Sequence, residues 1–238
     1  MRLVILQWRM ELATLLRNYE QLLLVVAIPV GALVFFGTTD VLPADLDLGR
    51  VVSSVVALSV MSTAMVSTGI ATGFERSYNV LKRLGATPLG RDRLVWAKAG
   101  SVGTIEVGQG LLLLSVAGAL GWSAGSVSWW RTATAMLLGT CAFAGIGLAL
   151  AGRLRAEVNL AAQNGLYLLL LAVGGVIVPT DELPGALAVT ARLLPSGALA
   201  EALDHSLNGG VGNGPWSVLL VWAIVAPLFA ARLFRFDD

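Results

Sequence analysis

The sequence predicts an all-α integral membrane protein, and three observations support this fold class. Apolar residues make up 56% of the 238 residues, and the mean hydropathy is +0.79. Only 13% of residues are charged, about half the usual share in a soluble domain. The apolar residues also form runs of about 20, the length that a helix needs to cross the hydrocarbon core. We therefore expect a single transmembrane domain over residues 1–238, with six membrane-spanning helices.

The first element, residues 1–20, is expected to be an amphipathic helix lying along the inner membrane surface. Leu3, Leu6, Met10 and Leu16 recur at helical spacing among three arginines, a pattern typical of interfacial helices. A cytoplasmic extension of the first span is the alternative. No small-residue cleavage site follows the first apolar run, so we expect this segment to be retained.

Six apolar runs then predict the membrane-spanning helices. The first is the shortest and contains Pro29, so we expect it to begin earlier or to kink there. Residues 179–215, before the last span, are too broken by prolines to cross the membrane. We expect short helices there that dip into the outer leaflet or cap the bundle. The predicted spans are 21–38, 51–74, 97–120, 132–152, 158–178 and 216–233.

Lysine and arginine are distributed unequally between the two sides that six spans define. Thirteen fall on the side of the termini, whereas Arg50, Arg131 and Arg192 fall on the other. The positive-inside rule therefore predicts that both termini face the cytoplasm. The thirteen are Arg2, Arg9, Arg17, Arg76, Lys82, Arg83, Arg91, Arg93, Lys98, Arg153, Arg155, Arg232 and Arg235.

The connection between the second and third spans, residues 75–98, holds eight charged side chains. Each would cost roughly 2.5–3.5 kcal/mol at the membrane centre, so we expect the segment to lie in water. Tyr78, Leu81 and Leu84 share a helical face, and Gly85 is suited to end that helix. Thr87 and Pro88 are suited to begin the next helix. This predicts a rigid helix–turn–helix for docking a partner, and a plain solvated loop is the alternative.

The loop reads FERSYNVLKRLGATPLGRDRLVWAK over residues 74–98. Its acidic–basic start, Lys-Arg-Leu, Ala-Thr-Pro-Leu and final basic run resemble the cytoplasmic loop of ABC-2 type transporter permeases, the membrane subunits of many bacterial exporters. Residues 174–203, GGVIVPTDELPGALAVTARLLPSGALAEAL, resemble the Gly-rich span end and outer proline segment of that family. With the six spans and the interfacial helix, the resemblance covers nearly the whole chain.

The resemblance implies partners and a coupling surface. Family permeases work in pairs, and each pair joins two cytoplasmic ATPase subunits. This chain has no G-x-x-x-x-G-K-[ST] phosphate loop. ATP and Mg²⁺ would therefore belong to the ATPase, and we expect no catalytic, cofactor or metal site here.

The expected partners are two ATPase copies, an identical or sister permease and membrane lipid, without nucleic acid. The implied coupling residues are Glu75, Arg76, Leu81, Lys82, Arg83, Leu84, Thr87, Pro88, Leu89 and Arg91.

Glu106 is the one ionisable residue that we predict inside a span, and such residues are functional candidates. It is interpreted as lining the export path or a proton-sensitive gate, and a hydrogen bond to a neighbouring helix is the alternative. In the second span, hydroxyl residues and the Gly69–Gly73 pair favour close helix packing or a path lining. The candidate path residues are Ser59, Thr63, Ser67, Glu106 and Gln109.

The favoured function is outward transport of a hydrophobic or amphipathic substrate across a bacterial plasma membrane. A drug, a lipid or a lipid-linked glycan would suit this class. The alternative is a proton-coupled secondary transporter that uses Glu106, although the sequence shows no internal repeat. An intramembrane enzyme is disfavoured because H-E-x-x-H does not occur and no paired membrane carboxylates are predicted.

Overall fold

A computed structural model describes residues 2–17, 19–39, 47–85, 91–210 and 212–233. These ranges contain eleven α-helices, one π-helical segment and no β-strand, which confirms the all-α prediction. The π-helical segment, Ser62–Ser67, joins α3 to α4. In chain order the helices are α1 (Arg2–Arg17), α2 (Tyr19–Thr38), α3 (Leu48–Met61), α4 (Thr68–Ser77), α5 (Val80–Gly85), α6 (Arg91–Ala119), α7 (Trp129–Ala151), α8 (Ala156–Val173), α9 (Gly185–Leu193), α10 (Pro195–Leu207) and α11 (Gly214–Leu233).

Five helical runs in the described ranges have at least 18 residues and are apolar enough to cross a membrane. The pair α9–α10 meets the same test jointly but is bent by 79°. Within α2, Val25–Thr38 forms a shorter apolar helix, and Pro29 lies inside α2 without ending it. Five or six candidate spans agree with a multi-pass fold. The five runs are Leu48–Ser77, Trp96–Ala119, Trp129–Ala151, Ala156–Val173 and Gly214–Leu233.

The second span lies at the centre of the bundle as one helical run from α3 through the π-helical segment to α4. Twelve of the fourteen residues of α3 are buried, because α2, α6, α7 and α10 pack around it. The wider π-helical turn lies against α7 at Gly147. A Cβ atom there would come within 2.7 Å of the Met65 carbonyl oxygen. Glycine therefore permits this close approach.

The fifth span is shorter than the predicted range 158–178, because α8 ends at Val173. Gly175 follows with a φ of 64°, a left-handed value that glycine adopts without strain. The carbonyl groups beyond the helix end are bonded by α3. Arg50 donates to the Gly175 carbonyl at 3.1 Å, and Ser54 donates to the Val176 carbonyl at 2.6 Å. Hydropathy alone could not locate this helix end.

Two helices, α9 and α10, occupy the segment for which we predicted short helices. In α10, Pro195 takes a first-turn position, where its missing N–H costs nothing. Ten of the thirteen residues of α10 are buried, and the helix packs against α3, α7 and α11. It therefore belongs to the core. Its entry into the membrane from the outer side stays a prediction.

The N-terminal helix α1 is fastened to α6 along one face. Trp8 donates its indole N–H to Thr104 Oγ1 at 3.2 Å. The opposite face exposes apolar side chains, among them Leu3, Leu6 and Met10, which are 41%, 48% and 64% exposed. This arrangement matches an amphipathic helix. Its contact with lipid stays a prediction.

Candidate transport site

A cleft of about 860 Å³ opens at the end of the bundle that carries α1, α5 and the first turns of α6. We call this the basic end. The walls of the cleft come from α1, α2, the π-helical segment, α4, α6 and α8. Apolar side chains line much of the wall, including Ile28, Pro29, Val66 and Ile70. The volume is within the range of small-molecule sites, about 300–1,000 Å³.

A three-residue ion cluster on the cleft wall joins α1, α4 and α6. Lys98 Nζ lies 2.8 Å from Glu75 Oε1 and 3.1 Å from Glu11 Oε2. The Lys98, Glu75 and Glu11 side chains are only 16%, 24% and 13% exposed, so water screens them less than a surface pair. One ammonium group serves two carboxylates. A displacement of α4 would therefore act on both α1 and α6.

The predicted coupling segment contains a turn that the sequence did not reveal. Asn79 has a φ of 58°, a left-handed conformation that asparagine tolerates better than most residues. It separates α4 from α5, so the predicted helical face shared by Tyr78, Leu81 and Leu84 is wrong. Tyr78 instead stacks on Phe74, with the ring centroids 6.2 Å apart.

The implied coupling residues take different positions around this turn. Leu81 is buried, Leu84 is half-buried, and Lys82 and Arg83 are exposed. Arg83 donates to the Tyr78 carbonyl at 2.9 Å, which closes the turn.

Arg76 and Glu75, on α4, are held by neighbouring elements. Arg76 donates to the Leu154 carbonyl at 3.1 Å, which fastens α4 to the α7–α8 connection. Arg91 begins α6, but its side chain lies outside the described part of the chain, as do three further implied residues. These are Thr87, Pro88 and Leu89.

Gln109 and Thr63, two of the candidate path residues, form a buried link between three helices. Thr63 donates its hydroxyl to Gln109 Oε1 at 3.2 Å, and Gln109 Nε2 donates to the Val25 carbonyl at 2.5 Å. Ser59 is buried and donates to its own helix at Val56. Ser67 lines the cleft.

Glu106, the remaining path candidate, is 3% exposed and lies between α6 and α7. Its Oε2 atom is hydrogen-bonded to the Thr140 hydroxyl, and Oε1 has no partner among the described residues. The carboxyl group does not belong to the lining of the cleft. The structure thus places Ser67 on the cleft wall and the other four candidates within helix contacts.

The sequence profile of the ABC-2 type transporter family matches residues 2–207, from α1 to the end of α10. The chain belongs to the ABC-2 type transporter family. The ABC-2 protein is therefore a multi-pass membrane protein and a transport subunit that is not itself catalytic. Membership implies association with an ABC ATPase and often with a second permease. No curated protein is significantly similar to the chain.

The glycine pair of this ABC-2 permease lets α4 approach α8 closely, which agrees with the packing interpretation of its spacing. A Cβ atom on Gly69 would come within 2.1 Å of Gln163 Nε2, and one on Gly73 within 2.4 Å of Asn159 Nδ2. Both amides are fully buried. Asn159 donates to the Gly69 carbonyl at 2.9 Å, and Gln163 donates to the Gly147 carbonyl at 2.8 Å. Asn164, in contrast, lines the cleft.

A polar cluster at the opposite end of the permease escaped the sequence prediction. Arg50 lies within the candidate span Leu48–Ser77 and is 7% exposed. Its Nη1 lies 3.8 Å from Asp204 of α10, whose Oδ1 accepts hydrogen bonds from Ser53 at 2.9 Å and Asn208 at 2.8 Å. The helical runs also include Glu75 and Lys98. Arg50, Glu75 and Lys98 lie near the ends of these runs, so the prediction that Glu106 is the one ionisable residue within the membrane stays a prediction.

This cluster borders a second cavity of about 470 Å³. Thr180 is hydrogen-bonded to Glu201, and Arg192 pairs with Asp181 at 2.6 Å. Together these contacts tie α3, the segment after α8, α9 and α10 to one another. The charges of this outer segment predicted its side of the membrane but not which side chains pair with one another. Among the described residues, no group of three or more His, Cys, Asp or Glu side chains is suited to hold a metal ion.

Proposed function

We propose that this ABC-2 permease is the membrane subunit of an ATP-driven exporter with its basic end in the cytoplasm. The Lys98 ion cluster is the observation that carries the proposal. It joins α4, the stem of the predicted coupling segment, to α1 and α6 at 3.1 Å or less. An ATPase docked on α5 would push on α4, and the cluster would pass this motion to the helices that frame the cleft.

The ATPase would supply the nucleotide site, since this chain has no phosphate loop. Two ATPase copies would hold ATP and Mg²⁺, and a second permease, identical or a sister chain, would complete the assembly. Lipid surrounds the exposed apolar faces of the outer helices. The family match supports this composition.

The cleft supports a hydrophobic or amphipathic substrate. Ile28, Pro29 and Ile70 give it apolar walls, while Ser67 and Asn164 add hydrogen-bonding groups. Sites of this mixed kind bind molecules with an apolar body and a few polar groups. We propose outward movement because the basic end, which carries the cleft, faces the cytoplasm under the positive-inside rule.

Recruitment of the ATPase tests the proposal. The permease is co-expressed with candidate ABC ATPases from its source genome, and the ATPase retained on the purified permease is quantified. Arg83→Glu and Leu84→Asp should each lower retention about tenfold or more, because charge reversal or a buried carboxylate would disrupt a docking surface.

Arg155→Glu is the matched control for Arg83→Glu. Arg155 is also exposed at the basic end, but it precedes α8 instead of lying on α5. The Arg155→Glu variant should retain the ATPase at the wild-type level. Equal retention by all three variants would contradict docking on α5, whereas equal loss would indicate a general charge effect.

A further inference from the structure

Two buried oxygen atoms on α4, in residues at the cleft wall, have no hydrogen-bond partner among the described residues. They are Thr72 Oγ1 and Glu75 Oε2, and both residues line the cleft. Thr72 is 2% exposed. Residues three apart lie on the same helix face. Because buried polar atoms in proteins are nearly always hydrogen-bonded, this pair of acceptors calls for a donor from the cleft.

The charges around the cleft favour a cationic donor. The charged residues that line it, within the described part of the chain, are Glu11, Glu75 and Lys98. Lys98 is already shared between the two carboxylates, so with both carboxylates ionised the wall carries one net negative charge. An anion would meet the carboxylates, whereas an ammonium group would complete the charge balance.

The rest of the wall suits an apolar or aromatic body. Phe74 and Tyr78 stack with an interplanar angle of 23°, and Tyr78 is 65% exposed. Tyr167 lines the cleft from α8, and Pro29 and Val66 add aliphatic surface. Aromatic faces attract cations as well as apolar groups.

We propose that this cleft selects amphipathic amines, molecules that join a primary or secondary ammonium to an apolar or aromatic body. The ammonium donates to Glu75 Oε2 and Thr72 Oγ1, and the body lies against the aromatic and aliphatic wall. The inference rests on the proposed function, in which the cleft takes up the substrate. It narrows the substrate class from amphipathic molecules in general to amphipathic cations.

The test compares two fluorescent probes on the full chain in lipid nanodiscs. One is dansylcadaverine, which carries a free primary ammonium, and the other is its N-acetyl derivative, which keeps the ring and chain without the charge. Nanodiscs without protein correct for partitioning into lipid. Wild-type permease should bind the amine about tenfold more tightly, since one charge-assisted hydrogen bond is worth at least that ratio.

Glu75→Gln should remove the preference for the amine. Glu157→Gln, an exposed glutamate in the first turn of α8, should keep it. Thr72→Val leaves the Lys98 contacts in place and should lower the preference several-fold, so it decides the test if Glu75→Gln fails to fold. Equal binding of both probes by wild type, or an unchanged preference in Thr72→Val or folded Glu75→Gln, would overturn the inference.

The binding test is independent of the ATPase, so the two proposals fail in different ways. Amine-selective binding without ATP-driven export would contradict the exporter proposal and leave the selectivity standing. ATP-driven export together with equal binding of the two probes would contradict the selectivity alone.

Discussion

Two contacts of the Thr140 hydroxyl, one with Glu106 and one with the Met136 carbonyl, each need a hydrogen atom. If Glu106 is ionised, only the hydroxyl hydrogen of Thr140 is present for both. The Thr140 hydroxyl lies 2.7 Å from the Met136 carbonyl and also contacts Glu106 Oε2. A hydroxyl group carries one hydrogen, so it can donate to one of these acceptors. A neutral Glu106 would donate its own O–H to Thr140 Oγ1 and leave the Thr140 hydrogen for Met136. We therefore predict that Glu106 is a neutral cross-link between α6 and α7.

Glu106→Gln tests this protonation state, because an amide can donate to Thr140 in place of the carboxylic acid. We expect the variant to keep the wild-type melting temperature and ATP-dependent transport. The infrared difference spectrum between wild type and variant should contain the carbonyl band of a protonated carboxylic acid at neutral pH.

The same variant separates the exporter from a proton-coupled carrier. A carrier that cycles a proton on Glu106 would lose all transport in Glu106→Gln. Its transport would also continue after ATP depletion and stop with an uncoupler. Either result would favour the carrier, and a carboxylate band in the difference spectrum would contradict the neutral cross-link.

Helix positions followed from hydropathy, whereas helix ends and interruptions did not. The end of α8 depends on Gly175 and on carbonyl partners supplied by Arg50 and Ser54. The turn before α5 depends on the backbone conformation of Asn79. The π-helical segment STAMVS lies in a run without charged residues, and nothing in the sequence pattern distinguishes it from α-helix. These features are decided by tertiary contacts, which a single sequence does not display.

The contact between α4 and α8 gives a prediction at the scale of whole helices. Gly73→Ala should destabilise the permease by about 1–3 kcal/mol, because the added methyl group displaces the buried Asn159 amide from the Gly69 carbonyl. The change is measured as a fall in melting temperature of the purified protein in nanodiscs.

Gly165→Ala on the same α8 helix is the matched control. A Cβ atom there meets nothing within 4 Å. An exposed helical glycine costs up to about 1 kcal/mol relative to alanine, so this variant should be neutral or more stable. An equal loss in both variants would show that the glycines act through something other than helix contact.

Across the whole molecule, the two ends carry different clusters of charged and polar side chains. The basic end holds the cleft and the Lys98 cluster, and the other end holds the polar contacts of Arg50 with the segment after α8 and with α10. The sequence predicted the charge asymmetry between the two ends, because cytoplasmic loops of membrane proteins carry an excess of lysine and arginine. It did not predict the cleft, because its walls come from α1, α2, the π-helical segment, α4, α6 and α8, many of which are distant along the chain.

The orientation of the whole permease can be tested by labelling single cysteines. Cys141 is the sole cysteine of the sequence, so Cys141→Ala provides a clean background. Gly125→Cys lies in the exposed α6–α7 connection, which the positive-inside rule places outside. A membrane-impermeant maleimide should label it in intact cells. Gly90→Cys, in the connection between the second and third spans, should be labelled only after permeabilisation.

The quantity to compare is the ratio of labelling at Gly125→Cys to labelling at Gly90→Cys, because each position controls for the expression and reactivity of the other. The reverse pattern would place α5 outside the cell, where no cytoplasmic ATPase reaches it and where the cleft would open away from an internal substrate. Labelling of both positions in intact cells would place both outside and indicate an even number of crossings between them. Either pattern would remove the physical basis for driving α4 with ATP, since force from the ATPase has to enter at the basic end.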